Sequence, residues 1–437
     1  MPKTAAMSAF WTVFALATAA SGAVVGALPP HVGIAPGTAP GTAPGTAGSL
    51  PQVRNPAFVR RNGPAALAKA YRKYKAPIPA DLHAAVHAAS AASRRSKGSA
   101  VNTPEESDAE YLTPVSIGSP GQMLNLDFDS GSSDLWVFSS ETPSRETDGQ
   151  SVYNPSKSDT SEKLADSSWQ IQYGDGSSSS GDVYLDTVAI GGLTVTGQAV
   201  ETAKSVSDEF TSDSANDGLL GLAFGALNTV VPTPQKTFFE NAAAQLEKAV
   251  FTADLKHGKP GHYNFGYLDS NAYHGSITYT AVDKSAGFWQ FTSPGYAVGP
   301  GSFSPFSITG IADTGTTLLL LPTTIVSYYY QQISGARYES SEGGYVFPCD
   351  TSLPDFSFGV EDAIITVPGA YLNYTTASGS KCYGGIQSDA GIGFSIFGDV
   401  ALKAAFVVFD AASLRLGLAN CLDKKAPSLK DNMMYKQ

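Results

Sequence analysis

The sequence predicts a mainly β protein built from two β-rich lobes of similar topology. Three observations carry that prediction. From residue 110 onward, short runs rich in Val, Ile, Thr and Tyr alternate apolar with polar residues and close on Gly, Asp or Ser. Helical periodicity is sparse in the same region. One signature, an apolar strand entering Asp-Ser/Thr-Gly, occurs twice, as LNLDFDSGSSDLWVF (124–138) and ITGIADTGTTLLLL (308–321).

Taken in order from the N-terminus, residues 1–20 read as a secretory signal peptide. Lys3 supplies the positive region, FWTVFALATAA the apolar region, and Ala17, Ala19 and Ala20 the small residues of a cleavage site. Residues 35–47, APGTAPGTAPGTA, are low in complexity and expected to be unstructured. Residues 64–92 are rich in Ala, Lys and Arg and predict helix broken at Pro77 and Pro79. SRRSKGSA (93–100) is basic and reads as an exposed processing site.

Charge is divided sharply. Residues 1–97 carry 11 basic and 1 acidic side chain, and residues 98–437 carry 17 and 38. A basic head on an acidic body implies either a nucleic-acid arm or a head that binds its own body. Few aromatics and many Ala in the head, and the acidity of the body, favour self-association over nucleic acid.

In the body, YLTPVSIG, WQIQYGDGS, VYLDTVAIGG and GSITYTAV predict strands, and PQKTFFENAAAQLEKAV (234–250) is the best helical pattern. The repeated signature has a second part. Leu219-Leu220-Gly221 follows Asp129 by 92 residues, and Ile396-Phe397-Gly398 follows Asp313 by 85. Each half thus offers strand, Asp-Ser/Thr-Gly, strand, and a later element of two apolar residues and Gly. A length of 437 residues with 42% hydrophobic content suits two such lobes. No run of eighteen apolar residues follows the N-terminal segment, so no membrane span is expected.

Secretion would allow disulfides, and of three cysteines Cys349 and Cys382 are the expected bridge. Cys421 is left over, to be buried, free or intermolecular. No Cys/His cluster has zinc spacing, so neither metal nor other cofactor is expected.

The two aspartates are the chemical signal. Gly131 and Gly315 permit a sharp turn, and Ser130, Ser132, Thr314 and Thr316 offer hydroxyls that can satisfy a carboxylate at the end of a buried strand. Brought together at a lobe interface, two carboxylates do not both ionise readily, and the pair shares a proton over an acidic range. One group then serves as general base while the other serves as general acid, which suffices to activate water against a carbonyl.

These motifs resemble those of the pepsin family of aspartic endopeptidases, and most closely its secreted fungal members. The resemblance covers about residues 98–421 and rests on DFDSGSSDLWVF, WQIQYGDGSSSSGDVY, NDGLLGLAFGALNTV, IADTGTTLLLLP and SIFGDVALKAAFVVFD. It implies a bilobal fold with a deep cleft, cleaving internal peptide bonds of polypeptides at acidic pH. It implies Asp129 and Asp313 as the catalytic pair, oriented by Ser132 and Thr316, with Ser130 and Thr314 interlocking beneath. Ser130 stands where most fungal relatives carry Thr.

The resemblance further implies that YGDGSSSSG (173–181) is a flap closing over substrate. Its contacts would come from Tyr173, placed by Trp136, and from Gly174 and Asp175, the last giving some tolerance for Lys beside the scissile bond. Phe210 and Leu219 resemble positions of the main specificity pocket. Gly131, Gly315 and Thr317 resemble positions that meet substrate backbone. Residues 21–97 resemble a propeptide that inhibits its own enzyme, cut near Lys97/Gly98, with Lys73 or Lys75 reaching the aspartates. The lobes would span 98–290 and 291–421, followed by a polar tail, 422–437. A monomer that is secreted, rather than held in an acidic vacuole, is expected, with Asn373 of the NYT sequon as a glycosylation site.

Three rival readings fit the sequence less well. An inactive relative that binds other proteins would usually lose an aspartate or the flap tyrosine. A glycosidase, which also pairs carboxylates, would line its cleft with Trp, and only 4 are present. A nucleic-acid protein conflicts with the acidic body.

Overall fold

The computed structural model describes residues 48–54, 62–95, 111–172, 178–211, 213–258 and 260–421, all within one compact unit, 43–437. The signal segment, the repeat at 35–47, the junction near Lys97/Gly98, the flap residues Tyr173, Gly174 and Asp175, and the tail 422–437 lie outside the described residues.

The described chain is mostly strand, arranged in four sheets. An eight-stranded sheet runs in the order 53–54, 111–117, 122–129, 218–221, 135–138, 193–206, 178–190, 162–172. A seven-stranded sheet runs 363–367, 356–360, 290–298, 304–312, 395–397, 319–321, 386–388. The two share a local plan. Gln122–Asp129 lies parallel to Gly218–Gly221, which pairs antiparallel with Leu135–Phe138. Ser304–Ala312 lies parallel to Ser395–Phe397, which pairs antiparallel with Leu319–Leu321. In both, an Asp-Ser/Thr-Gly turn separates the first strand from the third, so the sequence repeat is a repeat of topology.

A six-stranded sheet, ordered 48–51, 262–265, 250–254, 405–410, 415–421, 273–281, joins the two halves. Its apolar face stacks Phe251 on Phe409 at 4.3 Å and sets Trp289 edge-on to both, at 5.7 and 5.2 Å. Burying such rings supplies most of the driving force for the central core. A four-stranded sheet (337–339, 344–348, 381–384, 373–376) carries the Cys349–Cys382 disulfide at its rim. Cys421 ends the last strand, its thiol 3.8 Å from the Lys403 carbonyl oxygen.

Helices follow local signals. Gly63–Lys73 starts at Asn62, whose side chain accepts from Ala65 N at 3.2 Å, with Pro64 in the first turn and Arg72 and Lys73 in the last. Ala80–Arg95 begins just beyond Pro79, as the two prolines predict. The pattern at 234–250 yields less helix than expected. Thr237 and Glu240 form a capping box, but α-helix covers only Phe238–Ala242 and a 3₁₀ turn Ala243–Gln245. Leu246 is already extended, because Val250 must enter the central sheet. Tertiary pairing outweighs propensity there.

Segment 62–95 packs against the C-terminal half. Leu67, Ala68, Ala70, Tyr71, Ala76 and Leu82 are buried with Leu318, Leu320, Val346, Tyr383 and Ile396. Tyr71 donates to Ala390 O at 2.7 Å, and Tyr338 donates to Asp81 at 2.7 Å.

Candidate active site

The two Asp-Ser/Thr-Gly turns meet face to face. Ser130 N donates to Thr314 Oγ1 and Thr314 N donates to Ser130 Oγ, each at 3.0 Å. The hydroxyls pass the bonds on, Ser130 Oγ to Ala312 O at 2.9 Å and Thr314 Oγ1 to Phe128 O at 2.6 Å. Four hydrogen bonds thereby satisfy six buried polar groups in one lattice that ties strand 122–129 to strand 304–312.

The lattice brings the carboxyls together. A Cβ on Gly131 would lie 2.5 Å from Asp313 Oδ1, and one on Gly315 would lie 2.4 Å from Asp129 Cγ. Only glycine lets each turn approach the opposite carboxyl so closely. Asp129 and Asp313 are both buried, yet well supplied with donors. Asp129 accepts from Gly131 N at 2.7 Å and Ser132 Oγ at 2.6 Å. Asp313 accepts from Gly315 N at 3.0 Å.

The remaining donors come from segment 62–95. Lys73 Nζ lies 2.6 Å from Asp129 Oδ1 and 2.8 and 3.0 Å from the two oxygens of Asp313. The Tyr74 hydroxyl donates to Asp313 Oδ2. Lys75 is exposed in a left-handed backbone conformation, so Lys73 is the one that reaches the pair. The Thr316 hydroxyl, expected to orient Asp313, is buried without a partner of good hydrogen-bond geometry. In this form of the chain it is Tyr74 that bonds the adjacent Asp313 oxygen.

Electrostatics split the pair. Burial raises both carboxyls. At Asp313 the Lys73 ammonium, joined by the Tyr74 hydroxyl, overcomes burial and holds it down to about 2. At Asp129 burial prevails over Lys73, with the Asp313 charge adding to the rise. Burial also opposes the Lys73 charge, but the two carboxylates outweigh it and raise the amine. Asp127, buried two residues before Asp129, is pushed up to about 6 by burial, against Lys69, whose ammonium is 3.9 Å away. Asp399, of the second apolar-apolar-Gly element, is raised well above its ordinary range by burial, with Lys403 opposing and Asp127 adding to the rise.

Around the turns, Ser132 and Thr317 are half-buried and Gly131, Gly315 and Thr316 buried. Phe210 and Leu219 are half-buried against a cluster containing Trp136, Phe138, Trp169 and Val183. Phe210 meets Trp136 edge-on at 5.3 Å. Trp136 Nε1 is buried with no hydrogen-bond partner among the described residues. Asn373 is exposed at the start of strand Asn373–Thr376. Sequence reading missed Tyr74, Asp127 and Asp399. Their only signal was proximity to Lys73, to Asp129 and to the Ile396-Phe397-Gly398 element.

A bilobal β fold in which two glycine-flanked aspartates share one site defines a hydrolase of the aspartic type. Residues 110–421 match the family described as eukaryotic aspartyl protease. The chain is 60% identical over 413 residues to endothiapepsin of Cryphonectria parasitica, covering 93% of this chain and 98% of that one. It is 55% identical to aspergillopepsin-1 of Aspergillus oryzae, over 85% of this chain and 92% of the relative. It is also 55% identical to penicillopepsin-1 of Penicillium rubens, over 82% and 87%. The chain belongs to the eukaryotic aspartyl protease family and is an aspartic-type endopeptidase. Among the described residues no helix is long and apolar enough to cross a membrane, and no group of three or more His, Cys, Asp or Glu could hold a metal.

Proposed function

We propose that Asp129 and Asp313 are the catalytic pair of a secreted endopeptidase made as a zymogen. The observation that carries this reading is the shared ammonium of Lys73, which bridges both carboxyls from 2.6 to 3.0 Å. It marks the point from which one atom reaches both groups, and a water there can do the same. One carboxylate takes a proton from that water, whose oxygen attacks the peptide carbonyl carbon. The other carboxyl delivers its proton to the carbonyl oxygen. Return of the diol proton and protonation of the amide nitrogen release the two peptides. Ser132 and Thr316 orient the pair. Gly131, Gly315 and Thr317 meet substrate backbone, and Phe210 and Leu219 meet an apolar side chain. Tyr173, Gly174 and Asp175 serve as the flap, with Asp175 admitting Lys.

The same contacts make residues 21–97 the enzyme's own inhibitor. While Lys73 and Tyr74 hold the aspartates, no water and no substrate can be activated there. Secretion rests on the signal segment read at 1–20. Monomeric state and a glycan on the exposed Asn373 belong to the same reading. Acidified full-length protein should digest a denatured polypeptide, and pepstatin should stop it. An acid-treated chain that leaves the polypeptide intact would refute the reading.

A further inference from the structure

The two lobes repeat each other closely, but not in charge. Asp134 lies five residues after Asp129, and its counterpart five residues after Asp313 is Leu318. Trp136 pairs with Glu201 in the parallel ladder of the first lobe, and its counterpart Leu320 pairs with Gln387. The first lobe thus buries an acidic pair where the second buries a leucine and an amide.

That pair is fully inside the protein. Glu201 is 0% exposed and Asp134 3%. Asn228 Nδ2 donates to Glu201 Oε1 at 2.8 Å, to Asp134 Oδ1 at 3.0 Å and to Ser133 O at 3.3 Å. Thr229 N donates to Asp134 Oδ1 at 2.7 Å. Asn228 is itself fixed by Val230 N and Gln235 N at its side-chain oxygen. The second oxygen of Glu201 is buried and has no donor among the described residues. An acceptor-only oxygen in that position is costly unless it carries a proton of its own. Asn228 Nδ2 bonds both carboxyls, which sets Asp134 beside Glu201 as an acceptor for such a proton.

The cluster holds the segment that carries Ser132. Asn228 grips Ser133 O and Asp134, Ser133 Oγ donates to Phe224 O at 2.6 Å, and Gly221 N donates to Asp134 O at 2.9 Å. Ser132 in turn donates to Asp129 at 2.6 Å. We propose that Glu201, in its protonated form, is a positioning residue that clamps the Asp129 turn through Asp134 and Asn228, and that its ionisation sets the upper pH limit of the enzyme. The proposal rests on the catalytic reading of Asp129 given above.

The groups that face the pair do not rescue a second negative charge. They are Asn228 and Thr229 from the loop at 225–231, and at longer range Asp129 from the turn, none of them cationic. Burial, then the Asp134 charge, raise Glu201 well above the ordinary range, which agrees with the geometry. A carboxyl raised on folding stabilises the fold below its unfolded value and loses that contribution as pH rises through its folded value. In the second lobe Gln387 makes three hydrogen bonds to backbone and has no proton to lose.

The test compares the acid-treated parent chain with Glu201→Gln, Glu201→Ala and Asp134→Asn treated in the same way, so that Lys73 has left the aspartates before hydrolysis is read. Melting temperature and peptide hydrolysis are followed from about pH 3.5 to about pH 7.5, which takes in the ordinary carboxylate range and the range above it. Gln reproduces the donor and acceptor of a protonated Glu, so hydrolysis at the acid end should stay within about 3-fold of the parent. Ala should lower it about 10-fold or more, since it empties a fully buried site and leaves Asp134 without the proton that Glu201 would share with it. With Gln, the pH above which both readouts fall should rise by at least about one unit, each unit being tenfold in the folded-to-unfolded ratio. An alkaline limb that does not move with Gln, or an Ala variant that matches the parent in acid, overturns the proposal. If the Gln variant does not accumulate, Asp134→Asn decides: without the Asp134 charge Glu201 ionises more readily, so the limb must move to lower pH, and a limb that stays put overturns the proposal. If the parent hydrolyses nothing, the catalytic reading fails, and the melting limb still decides the clamp.

Discussion

Replacing Lys73 by Met should open the active site of the intact chain without cutting it. The Lys73 side chain is only 9% exposed and places one ammonium within 2.6–3.0 Å of three carboxylate oxygens. Met refills most of the volume, so the loss is mainly the charge. Removing one partner of a buried ion pair costs about 3–5 kcal/mol, because the other is left uncompensated. Here the carboxyls can recover part of that by taking a proton, so about 3 kcal/mol is the expected loss, roughly 10²-fold in the equilibrium for lifting the helix. The assay is native-state hydrogen exchange of Gly63–Lys73 in the full chain, which reads that equilibrium directly. The pH dependence has a definite sign. Asp313 is held down to about 2, so its grip on Lys73 persists above the ordinary carboxylate range and is lost only as pH falls through about 2. Asp129, raised, takes a proton earlier. The gap in protection between parent and variant should therefore survive to about pH 3 and close near about pH 2. Protection within about threefold of the parent at neutral pH would show that Lys73 does not hold the segment down.

Three further outcomes follow from the geometry. Asp127, pushed up to about 6, keeps a proton that the unfolded chain releases, so it lowers stability between about pH 4 and about pH 6, by about 3 kcal/mol. Asp127→Asn should remove that slope, and urea unfolding at both ends that shows an unchanged difference would contradict it. Ser130→Ala deletes a donor to Ala312 O and an acceptor for Thr314 N, and should cost about 2–4 kcal/mol in the same assay, a loss under about 0.5 kcal/mol being the contrary result. Phe210→Ala should cut kcat/KM about 10- to 100-fold for a peptide with an aromatic residue beside the scissile bond, and much less for an alanine peptide. Equal losses for the two peptides would remove Phe210 from the pocket.

The features that were legible share a local cause. Strand, Asp-Ser/Thr-Gly, strand is written in consecutive residues, and the glycine reports a close approach wherever the chain folds. Prolines 77 and 79 likewise interrupt helix by their own chemistry. The features that were not legible depend on distant partners. Whether Lys73 or Lys75 meets the aspartates turns on the last helical turn, which ends at Lys73 and leaves Lys75 in a left-handed, exposed conformation. The helix at 234–250 is cut short by a strand pairing with residues 407–410. Asp127, Asp134, Glu201 and Asp399 read as the polar members of alternating strands or turns, yet all are buried. Alternation shows which face a residue takes but not whether another layer covers that face.

The central claim is that Asp129 and Asp313 act as one catalytic unit. Its most direct test is hydrolysis of a peptide at acidic pH by acid-treated parent, Asp129→Asn and Asp313→Asn, each checked for an unchanged fold. Loss of either carboxyl should lower kcat by at least about 10³-fold, since base and acid functions are lost together. Either variant retaining more than about a tenth of the parent rate would contradict the account.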